Sequence, residues 1–296
     1  MTHTIELLHH LWQQASHVIA PMRLLLALTI VSSMSGSIVV QARWETPETR
    51  RAPRRVSTPS PTPTAVVLPD EAQVPILMYH YVSELPPDAD SYRVDLTVKP
   101  EDFRAQLQYL AAAGFDTITL DDLYLHLTKG HPLPNKPVIL TFDDGYRDAY
   151  EVVYPMLVEY GFTATFFILA TPAHFESPQY LTWAQMKEMA DAGMAIQSHG
   201  RDHVDLRGRS YEYLVYQTVG VKEAIEYHTG QPARFFCYPS GRYDDDLIAV
   251  LKSAGYLGAV TTEWGTTASR AGLFELPRLR IRGNTSLAAF ASMLKH

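Results

Sequence analysis

The feature that most restricts this chain is a series of short, unbroken apolar runs alternating with amphipathic stretches. "VPILMYH", "PVILTF", "TATFFIL", "MAIQSH", "ARFFCYP", "YLGAVTT" and "LPRLRI" recur along its second part. A strand with water on one face alternates apolar and polar residues, so continuous runs mean burial on both faces. Between them lie segments of helical period. In "KPEDFRAQLQYLAAAG", Phe103, Leu107 and Leu110 share one face and Gly114 marks the stop. "DDLYLHLTKG", "RDAYEVVYPMLVEYG", "TWAQMKEMADAG" with Thr182 as N-cap, and "DDDLIAVLKSAG" read the same way. Strand–helix alternation repeated about seven times predicts a parallel sheet flanked by helices. Over about 220 residues, this α/β pattern predicts an irregular (β/α) barrel of seven to eight strands. Ligand chemistry in such folds belongs at the C-terminal strand ends.

The regular pattern starts at Val74. Ahead of it, Met22-Arg23 is followed by "LLLALTIVSSMSGSIVVQARW", a basic residue, an apolar run and a small-residue site near Ala42. Residues 1–42 therefore read as a signal peptide, or as a membrane anchor if cleavage does not occur, with Met22 as an alternative start. Residues 43–73 are rich in Pro, Thr, Ser and Arg and read as a disordered linker. Residues 74–296 are then one catalytic domain, exported and either secreted or anchored at the cell envelope. With 46% hydrophobic residues in 296, the chain can fill one large core. Its single cysteine, Cys237, excludes an internal disulfide, and a net charge of −7 argues against nucleic acid as a partner. The reading is of a monomer.

Polar residues collect where the apolar runs end. His80 ends "ILMYH", Asp143 and Asp144 end "VILTFDD", His199 and His203 follow "AIQS", and Tyr238-Pro239-Ser240-Gly241 follows "FFC". On a barrel these ends share one rim. Two adjacent carboxylates at the end of a core strand are costly unless something positive faces them. Capping the next helix would occupy one aspartate and leave the other unexplained. Taken singly, His80 reads as a hydrogen-bonded core histidine, and the His199-x-x-x-His203 pair as a surface loop. A divalent metal accounts for the whole set. One aspartate and two neutral histidines make a three-ligand site with open positions, suited to Zn²⁺, with Co²⁺ or Ni²⁺ as alternatives. The remaining aspartate is then a general base and a further histidine a general acid. Such a set hydrolyses an amide or ester; no glycine-rich phosphate loop accompanies it.

"TFDDGY", "SHGRDH" and "FFCYPSGRYD", in that order, resemble the polysaccharide deacetylases of carbohydrate esterase family four. The resemblance runs from roughly Val74 to the C-terminus. "VPILMYH" ahead of the aspartates resembles a circularly permuted branch that includes exported poly-β-1,6-N-acetylglucosamine deacetylases. This resemblance implies Asp143 as catalytic base, Asp144, His199 and His203 as metal ligands, and His80 as the acid. It also implies an oxyanion contact from the backbone N–H of Ser240. Many members brace the base with the arginine of an Arg-Pro-Pro-Tyr-Gly segment. Aligned on Gly241, this chain has Cys237 at the arginine, Tyr238 and Pro239 at the prolines and Ser240 at the tyrosine. The brace is expected to be missing or to come from Arg234 or Arg242, and Cys237 reads as a small core residue. Tyr238 and Trp264 are candidates to line the sugar site, and Leu206 to face the acetyl methyl group.

The function these residues imply is metal-dependent removal of N-acetyl groups from an N-acetylglucosamine-containing polysaccharide. The alternatives are an O-acetyl esterase on acetylxylan-like polymers, or a non-catalytic carbohydrate-binding domain on the same fold.

Overall fold

In chain order the strands are β1 (Glu71–Gln73), β2 (Ile76–Tyr79), β3 (Tyr81–Val82), β4 (Thr97–Val98), β5 (Asp116–Thr117) and β6 (Pro137–Phe142). There follow β7 (Thr165–Ile168), β8 (Ala195–Ser198), β9 (Phe235–Cys237), β10 (Gly258–Trp264), β11 (Thr267–Ser269) and β12 (Leu276–Arg280). They come from a computed structural model that describes residues 68–295. The expected signal or anchor, 1–42, and most of the expected linker, 43–73, lie outside the described residues. The folded part begins a little before Val74, because β1 pairs antiparallel with β11.

Seven strands close a parallel barrel in the order β2-β12-β10-β9-β8-β7-β6, and β2 pairs back onto β6. The two-residue β5 pairs with the start of β6 as an eighth, outlying strand. The expected doubly buried runs hold: every residue of β2, β7 and β9 is buried, and in β6 only Pro137 is partly exposed. Their alternate residues face two different cores. Val138, Leu140 and Phe142 of β6 join the cluster under the outer helices. Ile139 joins Ile76, Phe167, Phe235, Val260 and Leu276 inside the barrel. That inner cluster continues into Leu120, Leu123 and Leu127 of the helix Leu120–Lys129. The barrel interior is thus packed from one end, leaving the other for polar groups.

Most connecting helices start and stop as their sequences predict, but "RDAYEVVYPMLVEYG" opens with a π-helical segment, Ala149–Val153, before the α-helix Tyr154–Tyr160. Thr119 and Thr182 each form a reciprocal capping box, with Asp122 and Gln185 respectively. The short helix Ser91–Leu96, capped by Asp90, has too few turns to show a periodic apolar face, which is why its sequence does not announce it.

Candidate active site

Strand register places the polar residues. Tyr79 of β2 lies opposite Phe142 of β6, so the next residues, His80 and Asp143, emerge side by side. The Asp143 N–H donates to the Tyr79 carbonyl at 2.9 Å, and His80 Nε2 lies 4.0 Å from Asp143 Oδ2. Ile168 of β7 pairs with Ser198 of β8, which delivers His199 to the same rim. Together, His80, Asp143, Asp144, His199, His203, Tyr238 and Ser240 line one cavity of about 230 Å³.

Successive residues of a strand point to opposite faces. Asp143 and Asp144 nevertheless reach one cavity because the chain leaves the extended conformation between them. Asp144 has φ 72° and Gly145 φ 73°, two left-handed residues in a row.

The two aspartates meet different partners. Asp143 is buried and accepts a two-pronged contact from Arg278 of β12, with Nη1 at 2.8 Å from Oδ1 and Nη2 at 2.7 Å from Oδ2. Burial pushes the Asp143 carboxyl up, but the Arg278 guanidinium outweighs it and holds the group well below the usual carboxylate range. Arg278 is 1% exposed and also donates to Thr141 Oγ1 and to the Thr261 carbonyl. The brace thus comes from a strand that sequence comparison did not indicate. Arg234 instead pairs with Asp121 at 2.8 Å, and Arg242 with Asp205 at 3.2 Å, both at the surface.

Cys237 has a more specific setting than a small core residue requires. Its Sγ lies 3.2 Å from Arg278 Nη2 and 3.4 Å from Asp143 Oδ2, so the thiol occupies the space beside the brace. Its carbonyl lies 2.7 Å from His199 Nδ1. An imidazole that donates from Nδ1 to a carbonyl keeps its Nε2 lone pair free.

Asp144 faces that Nε2. Its Oδ1 lies 3.2 Å from His199 Nε2 and 3.4 Å from His203 Nε2. Oδ1 is buried and has no hydrogen-bond partner among the described residues. Ligand atoms of Asp144, His199 and His203 lie within 4.8 Å of one another. A buried carboxylate oxygen without a hydrogen bond, facing two imidazole nitrogens, fits a cation better than a hydrogen-bond network, and the donor types suit a first-row divalent ion.

His80 is buried, and its Nδ1 lacks a partner among the described residues. Burial lowers its pKa; the two aspartates oppose that effect without reversing it. Ser240, with φ 57° in the turn after β9, lines the cavity.

Two expected residues lie apart from this cavity. Leu206 is buried in a cluster with Tyr238, Phe236 and Leu247. Trp264 is 62% exposed and borders a separate hollow with Leu279, Ala289 and Met293. The cavity wall is completed by residues not singled out from the sequence: Tyr92, Tyr146, Leu169, Tyr180, Thr262 and Arg280. Tyr146 had a readable signal, since it follows the aspartate pair with only Gly145 between. It stacks on Tyr81 with ring centroids 3.6 Å apart, and the Arg93 guanidinium lies over the far face of Tyr81.

A parallel barrel with a braced carboxylate, an Asp-His-His cluster and a facing histidine at its rim defines a hydrolase-type site. The description "Polysaccharide deacetylase" matches residues 130–259. The chain is 34% identical over 224 residues to YxkH of Bacillus subtilis (strain 168), a protein named provisionally as a polysaccharide deacetylase, covering 76% of this chain and 77% of that one. The chain belongs to the polysaccharide deacetylase family, whose members are hydrolases. It is also 25% identical over 211 residues to the poly-β-1,6-N-acetyl-D-glucosamine N-deacetylase of Staphylococcus epidermidis, covering 67% of this chain and 71% of that one. Among solved structures, the Streptococcus pyogenes deacetylase PplD, in complex with acetate, superposes with a TM-score of 0.72 at 33% identity, covering 76% of this chain and 99% of that one.

Proposed function

We propose that this protein hydrolyses N-acetyl groups on an N-acetylglucosamine-containing polysaccharide outside the cytoplasm, with Asp143 as general base and His80 as general acid. The observation that carries this reading is the division of labour between the adjacent aspartates. One is neutralised by a dedicated arginine and stays ionised; the other turns a bare oxygen towards two imidazoles. A non-catalytic carbohydrate-binding domain has no use for that division. The likeness to the S. epidermidis N-deacetylase supports the substrate class. The chain is expected to act as a monomer.

Asp144, His199 and His203 would hold the divalent ion. When held by such a set, it supplies Lewis acidity towards water and towards a carbonyl oxygen. Asp143, beside that set, accepts the proton of the attacking water. Arg278 fixes both of its oxygens, so the base arrives already oriented. The Ser240 N–H donates to the oxygen that gains charge as the acetamide carbon becomes tetrahedral. His80, across from Asp143, gives its proton to the departing amine, which is a poor leaving group without one. Acetate and a glucosamine residue result.

Acetate release from N-acetylglucosamine oligomers and from acetylxylan, with Zn²⁺ and with chelator, tests the reading. Asp143→Asn should lower kcat by roughly 10²–10⁴-fold while zinc stays bound. Near-normal turnover in that variant, or release only from acetylxylan, would sink the assignment. The acid must be protonated, and burial holds His80 below the usual imidazole range. The rate should therefore fall on the alkaline side at a lower pH than a free histidine would give. His80→Ala should abolish that limb of the profile.

A further inference from the structure

Arg280 is the charged cavity-lining residue that the hydrolytic reading leaves unused. On β12 it lies two residues beyond Arg278, hence on the same face and closer to the rim. β12 pairs with β2, and Arg280 sits opposite Met78, two residues before His80. Arg278 is fully engaged by Asp143. Arg280, half-buried, has no carboxylate within 4.0 Å among the described residues. Other arginines near this end do find partners: Arg242 pairs with Asp205 and Arg282 with Asp95.

A half-buried guanidinium lining a cavity loses part of its hydration and is stabilised by an anion that returns those hydrogen bonds. Among the described residues no carboxylate lies within 4.0 Å to do so, so an anionic group on the occupant of the cavity can take that place. The neighbouring wall is aromatic. Tyr92, 64% exposed, lines the same cavity from the helix Ser91–Leu96. The loop after Arg280 is tied to that helix, because Gly283 N–H donates to the Asp95 carbonyl at 2.9 Å. An exposed tyrosine and an arginine without a carboxylate partner among the described residues, lining one cavity, suit a sugar ring that bears a negative substituent.

We propose that Arg280 forms an anion subsite, and that the preferred substrate is an acidic glycan with a carboxylate or phosphate close to the acetamido sugar. This rests on the deacetylase reading for its chemistry but not for its binding. The required test therefore has two arms. In the first, acetate release is measured on a β-1,4-linked N-acetylglucosamine pentamer, its C6-carboxylated form and its 6-O-phosphorylated form. Wild type should prefer one or both acidic oligomers by roughly tenfold or more in kcat/KM, chiefly through KM. Whichever is preferred names the anion. Arg280→Gln should cut the acidic-to-neutral ratio about tenfold, whatever happens to the neutral rate, and Arg280→Lys should recover part of it. Raising salt from 0.1 M to 1 M should shrink the preference, as the screening length falls from about 10 Å to about 3 Å.

In the second arm, calorimetry on the metal-loaded protein uses cellopentaose and its C6-carboxylated and 6-phosphorylated forms, which carry no acetamide. Tighter binding of an acidic form, lost in Arg280→Gln, upholds the subsite even if no oligomer releases acetate, in which case the deacetylase reading falls alone. Equal treatment of neutral and acidic oligomers in both arms, or a preference that survives Arg280→Gln, overturns the proposal.

Discussion

Asp143, Arg278 and Cys237 form one electrostatic unit at the residue scale. A buried carboxylate without a partner is costly, and Arg278 is its partner through both oxygens. Arg278→Met should therefore destabilise the protein by about 3–5 kcal/mol. Cys237→Arg places a second guanidinium into a fully buried site whose thiol already lies 3.2 Å from Arg278 Nη2. Alone it should destabilise by about 4 kcal/mol or more, through crowding and like charge. In the Arg278→Met background the new arginine meets a vacant carboxylate, so the double variant should be more stable than Arg278→Met. Urea unfolding of the four proteins measures the coupling. An equal cost of Cys237→Arg in both backgrounds would mean that the two positions do not share the carboxylate. The sequence showed the missing brace but not its replacement, because Arg278 is separated from Asp143 by 135 residues. The local signal was there: a charged residue at an inward position of an apolar strand, between Leu276 and Leu279. Such a residue needs a buried partner, but the strand itself does not name it.

The decisive element is the exit from β6. Its apolar run made the strand legible, and the two aspartates marked its functional end. Their convergence depends on backbone dihedrals that composition only hints at through Gly145. A Cβ at Gly145 would lie 3.1 Å from Ile168 Cγ2 and 3.2 Å from the Ile168 backbone, at φ 73°. Gly145→Ala combines a conformational penalty with a contact that β7 cannot easily relieve. It should cost about 1–3 kcal/mol in stability. Because Asp144 shares the left-handed turn, the variant should also bind zinc more weakly, as read by competition with a chromophoric chelator. A variant that loses stability but keeps full zinc affinity would show that Asp144 is oriented without the turn. The run "DTITL", which holds the outlying β5, is legible as a short strand. Its place outside the barrel is not, since two residues carry too little pattern to choose a neighbour.

At the scale of the whole molecule, the site exists only when the barrel closes, because the proposed base and proposed acid directly follow β6 and β2 and the brace comes from β12. The choice between seven and eight strands could not be read from the sequence. It depends on β2 and β6 pairing across more than sixty residues, with a register that individual apolar runs do not encode. Asp148 reinforces that seam. Its Oδ2 accepts from the Val82 N–H at 2.9 Å, linking the turn after β6 to the segment after β2. Its Oδ1 has no hydrogen-bond partner among the described residues. Burial raises its pKa to about 6, and the contacts with Val82 and Arg93 offset that only in part. The folded state therefore keeps this proton at a pH where the unfolded chain, with an ordinary carboxyl, has already lost it. With fewer protons bound in the unfolded state, stability falls as pH rises through the window from about 4 to 6. The contribution lost is roughly 2–3 kcal/mol. Asp143 has the opposite sign, since its lowered pKa favours the fold above the ordinary carboxylate range. Absolute stability mixes the two, so a difference isolates Asp148. Asp148→Asn keeps an acceptor for Val82 and removes the titration. Relative to wild type, it should become progressively more stable between pH 4 and pH 7 in urea unfolding. A wild-type-minus-variant difference that stays flat across that range would mean the seam holds Asp148 ionised without cost.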